Sequence, residues 1–217
     1  MNQSAGLNWR GAVPVSQRYD DPYFSLENGL AETRHVFLAG NGLPGRLRPG
    51  FRVAELGTGT GLNLLALAAC AGETPIRYTG FEAAPLPRTD LARALAAFPE
   101  LAELTAALTA AWDQAGFTAR IGAVEVEVIV GDARTTLPAW TGRADAWFLD
   151  GFAPARNPEL WEAGLMAEVA RHTAPGGSFA TYTAAGAVRR ALAGAGFAVG
   201  RRPGHGRKRH MSAGRLE

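Results

Sequence analysis

Four carboxylates stand where the pattern of this chain lets them do chemistry: Glu55, Glu82, Asp132 and Asp150. Each lies at or next to the end of an apolar, strand-like run: FRVAEL, IRYTGFE, VEVEVIVGD and ADAWFLD. The first run continues into Gly57-Thr58-Gly59-Thr60-Gly61 and then an apolar helical stretch. Closely spaced glycines permit a tight turn and let a ligand lie against bare backbone. A dinucleotide site wants GxGxxG, which seats a pyrophosphate on the helix N-terminus. Here the spacing is GxGxG with an acid in front, and Glu55 would repel a pyrophosphate while suiting a cofactor with a cationic amino-acid tail.

Glu82 follows the loop by about twenty residues, where a carboxylate accepts the hydroxyls of a ribose. Asp132 closes the third run, in position to take an adenine amino group. Alone, each acid reads equally well as a solvated strand end, and the glycines as a structural turn. In order on successive strands they describe S-adenosylmethionine, with Glu55, Gly57, Thr58, Gly59, Gly61, Glu82, Asp132 and Asp150 as expected contacts and no metal.

Asp150 sits at the reacting end. Methyl transfer is an in-line displacement, and the enzyme must align nucleophile and carbon while keeping the nucleophile's lone pair free. An amine must therefore be neutral when it attacks. A nearby carboxylate can hold its N–H groups and stabilise the charge that develops on nitrogen. That is the expected catalytic role of Asp150, while Phe152 can stack on a planar base. The plainer alternatives are a turn cap and a core ring. Asp145, at the start of the same run, reads as structural, and Trp147 and Phe148 as core.

These residues need a scaffold of alternating strands and helices. Residues 1–50 read as turn-rich and irregular, with one helix over 29–39. Beyond them the strands alternate with LNLLALAACA, an Ala/Leu-rich helical stretch over 86–119 broken at Phe98-Pro99, PELWEAGLMAEVARHT opened by an Asn157 cap and Pro158, and AAGAVRRALAGAG. GGSFATYT is the fifth strand, and the final residues read as a closing hairpin. The expectation is an α/β fold: a Rossmann-like, mostly parallel doubly wound sheet of the class I S-adenosylmethionine-dependent methyltransferase type. Residues 1–50 form an N-terminal extension over the cofactor site and 51–217 the catalytic domain, one domain overall.

No apolar run is long enough to span a bilayer, and the N-terminal residues lack a signal pattern. The one cysteine, Cys70, reads as an inert core thiol. The four histidines have no metal-ligand spacing. A cytoplasmic, membrane-free and metal-free protein is the expectation. Charge is divided along the chain. Residues 1–168 hold 13 basic against 19 acidic side chains, and residues 169–217 hold 9 against 1. A basic pole calls for a polyanionic partner.

In this combination the chain resembles the tRNA 5-methylaminomethyl-2-thiouridine methyltransferase family (MnmD), the methyltransferase half of the bifunctional MnmC proteins. The resemblance is carried by YDDPYFSLENGLAETRHVFL, ELGTGTGLNLL, FEAAPLPRTDLARAL, DAWFLDGFAPARNPELW, FATYTAAGAVRRALAGAGF and GHGRKRHM, in one order over nearly the whole chain. It implies methylation of the exocyclic amine of 5-aminomethyl-2-thiouridine at the tRNA wobble position. The family's catalytic aspartate falls on Asp150, and its cofactor contacts on Glu55, Gly57, Gly59, Glu82 and Asp132. Its N-terminal block matches residues 19–28, expected to close over the cofactor. Larger members continue into an FAD-dependent oxidase domain, so this chain, ending at Glu217, is expected to rely on a separate enzyme for its aminomethyl precursor. His210 stands where the family has an acid, and Tyr182 where it has phenylalanine.

The resemblance gives the basic pole a partner, the anticodon stem-loop, met by Arg189, Arg190, Arg207, Lys208 and Arg209, with Arg201 and Arg202 beside them. Two other readings stand against this one. A methyltransferase of the same fold acting on a small-molecule or protein amine would not need the basic pole. A non-catalytic RNA-binding module would not need the acids kept together.

Overall fold

The computed structural model describes residues 6–217; residues 1–5, the start of the expected extension and of the segment searched for a signal pattern, lie outside the described residues. An eight-stranded sheet runs through the molecule. Its strands are β4 (Arg52–Leu56), β5 (Ile76–Glu82), β6 (Phe117–Ile121), β7 (Val124–Val130), β8 (Ala144–Leu149), β9 (Thr173–Thr181), β10 (Phe197–Pro203) and β11 (His210–Leu216). Their spatial order is β10-β11-β9-β8-β4-β5-β7-β6. The five strands from β9 to β7 are mutually parallel, while β6, β11 and β10 are antiparallel to their neighbours. The order reverses between β4 and β8. Such a reversal opens a crevice at the carboxyl ends of the strands, the usual ligand site of an open α/β sheet.

Helices cover both faces. α2 (Leu62–Ala71), α3 (Arg88–Leu95) and α4 (Ala102–Ala111) pack with the first apolar cluster; α5 (Ala133–Ala139), α6 (Ala163–Arg171) and α7 (Gly186–Gly194) build the second. Because both faces are covered, β8 (ADAWFL) is buried at every position and, Asp145 apart, reads as an apolar run. Trp147 and Phe148 lie in that core. Asp145 is buried at its start, held by the Arg52 backbone N–H at 2.9 Å and by the Arg48 and Arg52 guanidiniums. Both match the structural roles expected of them. Cys70 is only half-buried, at the edge of α2, and burial pushes its thiol pKa up, which keeps it a poor nucleophile.

Three elements depart from expectation. Residues 7–22 are a small antiparallel meander of β1 (Leu7–Arg10), β2 (Val13–Ser16) and β3 (Asp21–Pro22) rather than irregular chain. Pro14 in its middle strand and strand lengths of only four, four and two residues hide the alternation. The expected helix over 29–39 is composite: α1 (Gly29–Thr33) widens into a π-turn at Arg34–Leu38 and tightens into a 3-10 turn at Ala39–Asn41. The helix expected to open at Asn157-Pro158 is delayed. Pro158–Trp161 forms one 3-10 turn, Glu162 is extended, the Asn157 side chain caps nothing, and α6 starts at Ala163. That turn buries Trp161 and lets its indole N–H reach the Phe152 carbonyl at 2.9 Å. No single helix among the described residues is long and apolar enough to cross a membrane.

Candidate active site

A cavity of about 600 Å³ opens over the carboxyl ends of β4, β5, β7 and β8. Gly57, Thr58, Gly59, Glu82, Asp132, Asp150, Phe152, Arg207 and Lys208 line it together, as do Tyr19, Asp21 and Tyr23 from the meander and its exit. Residues distant in sequence meet here because the sheet places its strand ends side by side.

The glycine loop is pinned from below. Gly57 N–H donates to the Phe81 carbonyl at 2.9 Å, and Gly59 N–H donates to Glu82 Oε2 at 2.8 Å. Gly57 has φ of 76°, and a Cβ there would stand 3.0 Å from the Asp150 carbonyl oxygen. Only glycine allows loop and β8 terminus to approach so closely. Glu82 also accepts the Ala84 N–H at 2.8 Å, and burial raises its pKa. Glu82 lines the cavity. Asp132 lines the far end and is half exposed. Both its oxygens fork onto Arg134, whose nearest nitrogen is 2.6 Å away, and this pairing lowers the aspartate pKa.

Two expected cofactor contacts sit elsewhere. Glu55 is fully buried beneath the loop and does not line the cavity. One oxygen accepts Asn63 Nδ2 at 2.5 Å and the other the Tyr78 hydroxyl. A carboxyl sealed from water tends to keep its proton, and burial, reinforced by the charge of Asp150, holds the Glu55 pKa well above the usual range. A neutral or shielded acid there cannot grip a cationic tail directly. Gly61 also lies outside the lining. It adopts φ of 73° as the residue preceding α2, and donates its N–H to the Thr58 carbonyl at 2.8 Å.

Asp150 is the focus of the site. Asn63 Nδ2 donates to its Oδ2 at 2.8 Å, and Gly151 N–H to its Oδ1 at 2.8 Å. Burial outweighs these two donors and raises its pKa to about 7. The loop after it is fixed carbonyl by carbonyl. The Tyr182 hydroxyl donates to Gly151 O at 2.9 Å, Trp161 to Phe152 O, and Asp21 accepts the Ala153 N–H at 2.7 Å. Phe152 is neither a core ring nor freely exposed: it stacks on Tyr19 with centroids 4.7 Å apart and meets Tyr23 edge-on at 5.0 Å.

The basic residues divide. β10 and β11 run antiparallel to each other beyond β9, so their connecting turn over 204–209 comes back to the cavity edge. Arg207 Nε is 2.7 Å from Glu27, and Lys208 Nζ is 2.8 Å from Glu32. Arg209 and Arg190 are exposed, away from the lining; Arg189 donates to the Ala184 carbonyl, just before its own helix. Sequence reasoning missed Asn63, Tyr78, Glu32 and Arg134 altogether. Asn63 left a trace, as the one amide in the otherwise apolar LNLLALAACA. Tyr78 and Glu32 left none, since their partners Glu55 and Lys208 lie 23 and 176 positions away, whereas Arg134 stands two residues after Asp132 and was passed over.

Residues 99–217, more than half of the chain, match a family described as S-adenosyl-L-methionine-dependent methyltransferases. The chain belongs to that family. The methyltransferase also aligns over 97% of its length, at 46% identity, with the tRNA 5-methylaminomethyl-2-thiouridine biosynthesis bifunctional protein MnmC of Chromobacterium violaceum. A protein of the same name from Ectopseudomonas mendocina is 47% identical over 97% of the chain. The alignments cover 34% and 35% of those two proteins, so the chain spans about a third of the length of these curated relatives. The solved structure of MnmC2 from Aquifex aeolicus superimposes with a TM-score of 0.75 at 24% identity, covering 94% of this chain and 67% of that one, and supports the fold.

The methyltransferase's cofactor, S-adenosyl-L-methionine, suits the residues present. The cavity has the volume of a small-ligand site, Gly57 and Gly59 leave bare backbone on its floor, and Glu82 lines it with a carboxyl group held by backbone donors. Glu82→Ala should weaken binding of the cofactor and of its demethylated product by roughly 10- to 150-fold, the loss of hydrogen bonds to a charged group. It should also loosen the Gly59 peptide. Calorimetric affinities equal to those of the parent would remove Glu82 from the site. Among the described residues no group of His, Cys, Asp or Glu is arranged to hold a metal ion.

Proposed function

We propose that the methyltransferase N-methylates 5-aminomethyl-2-thiouridine at the wobble position of tRNA, giving the 5-methylaminomethyl nucleoside. The observation that carries the chemistry is Asp150, a largely buried carboxylate held by Asn63 and Gly151 next to the glycine loop. When bound, S-adenosyl-L-methionine supplies an electrophilic methyl carbon on sulfur. Asp150 accepts an N–H hydrogen bond from the neutral amine and so turns its lone pair to that carbon. Methyl transfer would leave positive charge on the amine nitrogen, where the Asp150 carboxylate would stabilise it and then take the excess proton. Tyr19, Tyr23 and Phe152 supply aromatic faces for the base.

The names of the full-length relatives support tRNA as the substrate and this nucleoside as the product. In this reading Gly57, Thr58, Gly59, Glu82 and Asp132 hold the cofactor. Residues 1–50 serve as an extension over its site and residues 51–217 as the catalytic domain. A separate enzyme supplies the aminomethyl precursor, and the reaction takes place in the cytoplasm. Incubation with labelled cofactor and tRNA lacking only this methyl group tests the proposal. Label in any other nucleoside, or in none, refutes it.

The basic pole gives a second expected result. Exposed Arg201, Arg202 and Arg209 flank the cavity-edge turn and serve as phosphate contacts on the anticodon stem-loop. Replacing all three by alanine should flatten the log–log salt dependence of tRNA affinity by about two to three units and weaken all tRNAs alike. Cofactor affinity should be unchanged. A salt slope equal to that of the parent would move the RNA surface elsewhere.

A further inference from the structure

Lys208 is the one lysine in the chain, and although its side chain is 45% exposed, its ammonium head is engaged by the protein itself. Its Nζ lies 2.8 Å from Glu32 Oε1 and 4.0 Å from the centre of the Tyr182 ring. The Glu32 side chain is only 12% exposed, and the Tyr182 hydroxyl is bound to the carbonyl of Gly151, directly after Asp150. Glu32, Tyr182, Asp150 and Lys208 line one cavity. A carboxylate, an aromatic face and a second carboxylate are what recognise an ammonium group. Here the ammonium comes from the chain itself.

We propose that Glu32, the face of Tyr182 and Asp150 form the subsite for the acceptor's aminomethyl group, which docks as the ammonium and releases one proton to solvent before it attacks, and that Lys208 fills the subsite until that group arrives. The proposal rests on an amine being the acceptor and names the residues that select it. Its physical basis is charge exchange. Withdrawing Lys208 leaves Glu32 as an unpaired, largely buried carboxylate, which is costly. Withdrawing it while another ammonium enters leaves the pairing intact. Apart from its own backbone bonds, the turn that carries Lys208 is held by the exposed Arg207–Glu27 pair, by His35 against the Pro203 carbonyl at 3.0 Å, and by the tilted ring contact of His35 with His205. Exposed pairs of that kind contribute little. Opening of the turn is therefore coupled to the arrival of a cation, and RNA without the amine leaves Lys208 in place.

The test is a ratio: the affinity of tRNA carrying 5-aminomethyl-2-thiouridine over that of the same tRNA carrying plain 2-thiouridine, measured with the demethylated cofactor present. The parent should favour the amine. Glu32→Gln should lower the ratio by roughly tenfold, the loss of one charge-assisted contact. Lys208→Met should raise it by a similar factor, because only the amine can then pair with Glu32. A lysine that merely met phosphate would weaken both tRNAs equally and leave the ratio alone. If Glu32→Gln does not fold, Lys208→Met decides by itself. A parent that methylates the amine-bearing tRNA, with an unchanged ratio in the folded variants, overturns the subsite and leaves the proposed reaction standing. A parent that methylates neither tRNA overturns the reaction itself.

Discussion

Asp150→Asn should slow methyl transfer by about 10²- to 10⁴-fold in single turnovers while cofactor affinity stays within about threefold of the parent. The amide keeps the shape of the side chain and can still accept from Gly151 N–H. It loses the charge that stabilises positive nitrogen and the site that takes the proton. The parent's rate should climb as pH rises through about 7, because burial places the Asp150 pKa there and the carboxylate is the active form. The variant should lack that limb of the profile. Stability should move in the opposite direction. In the unfolded chain this aspartate returns to about 3.9. Between that value and 7 the folded chain therefore binds the extra proton, and folding weakens as pH rises across the interval. Asp150→Asn cannot ionise, so its melting temperature should exceed the parent's above pH 7, with the gap closing toward pH 4. A variant turnover rate within about threefold of the parent would reduce Asp150 to a turn residue.

The strand-end acids were legible because punctuation marks them. A glycine loop, a carboxylate at the close of an apolar run, and helical spacing afterwards are local signals, and the parallel sheet that follows from them brings the ends together. Glu82, Asp132 and Asp150 accordingly share one cavity. Glu55 carries the same local signal and sits in a different place. Whether an acid at a strand end faces a ligand or the layer below depends on what packs there, and below Glu55 lie Tyr78 and Asn63. Nothing in FRVAEL encodes that.

The ends of the chain were read least well, for a related reason. The charge split marked residues 169–217 as basic, which the hairpin and its turn express. Composition assigns a cation no partner, however. Lys208 meets Glu32 across 176 positions, and Arg207 meets Glu27 across 180. The meander over residues 7–22 escaped because four-residue strands containing proline carry almost no periodicity. It nevertheless delivers Tyr19, Asp21 and Tyr23 to the cavity wall, where Asp21 holds the loop after Asp150.

Asn63→Leu should cost the protein several kcal/mol of stability, and the reason is the number of polar groups that one amide serves. Its Nδ2 donates to Glu55 at 2.5 Å and to Asp150 at 2.8 Å, and its Oδ1 accepts the Thr33 hydroxyl at 2.7 Å. Leucine fills a similar volume and takes one hydrogen bond from each of three buried or part-buried partners, leaving Glu55 with Tyr78 alone and Asp150 with the Gly151 N–H alone. Each such loss costs about 1–3 kcal/mol, so the sum is about 3 kcal/mol or more. In a domain of this size that corresponds to a fall in melting temperature of about 6–12 °C. A packing defect alone would produce a similar fall, so the pH profile is the deciding measurement. The Asn63 hydrogen bond lowers the Asp150 pKa against the effect of burial. Without it the carboxylate is harder to form, and the midpoint of the pH–rate profile should move to higher pH. Asn63→Asp sharpens the contrast, because it keeps the shape, removes both donors and sets a third carboxyl between two others. That variant should be less stable than Asn63→Leu at pH 8 and recover toward pH 5 as the cluster takes up protons. A parental pH midpoint in Asn63→Leu, whatever its melting temperature, would make Asn63 a packing residue with no hold on the reacting carboxylate.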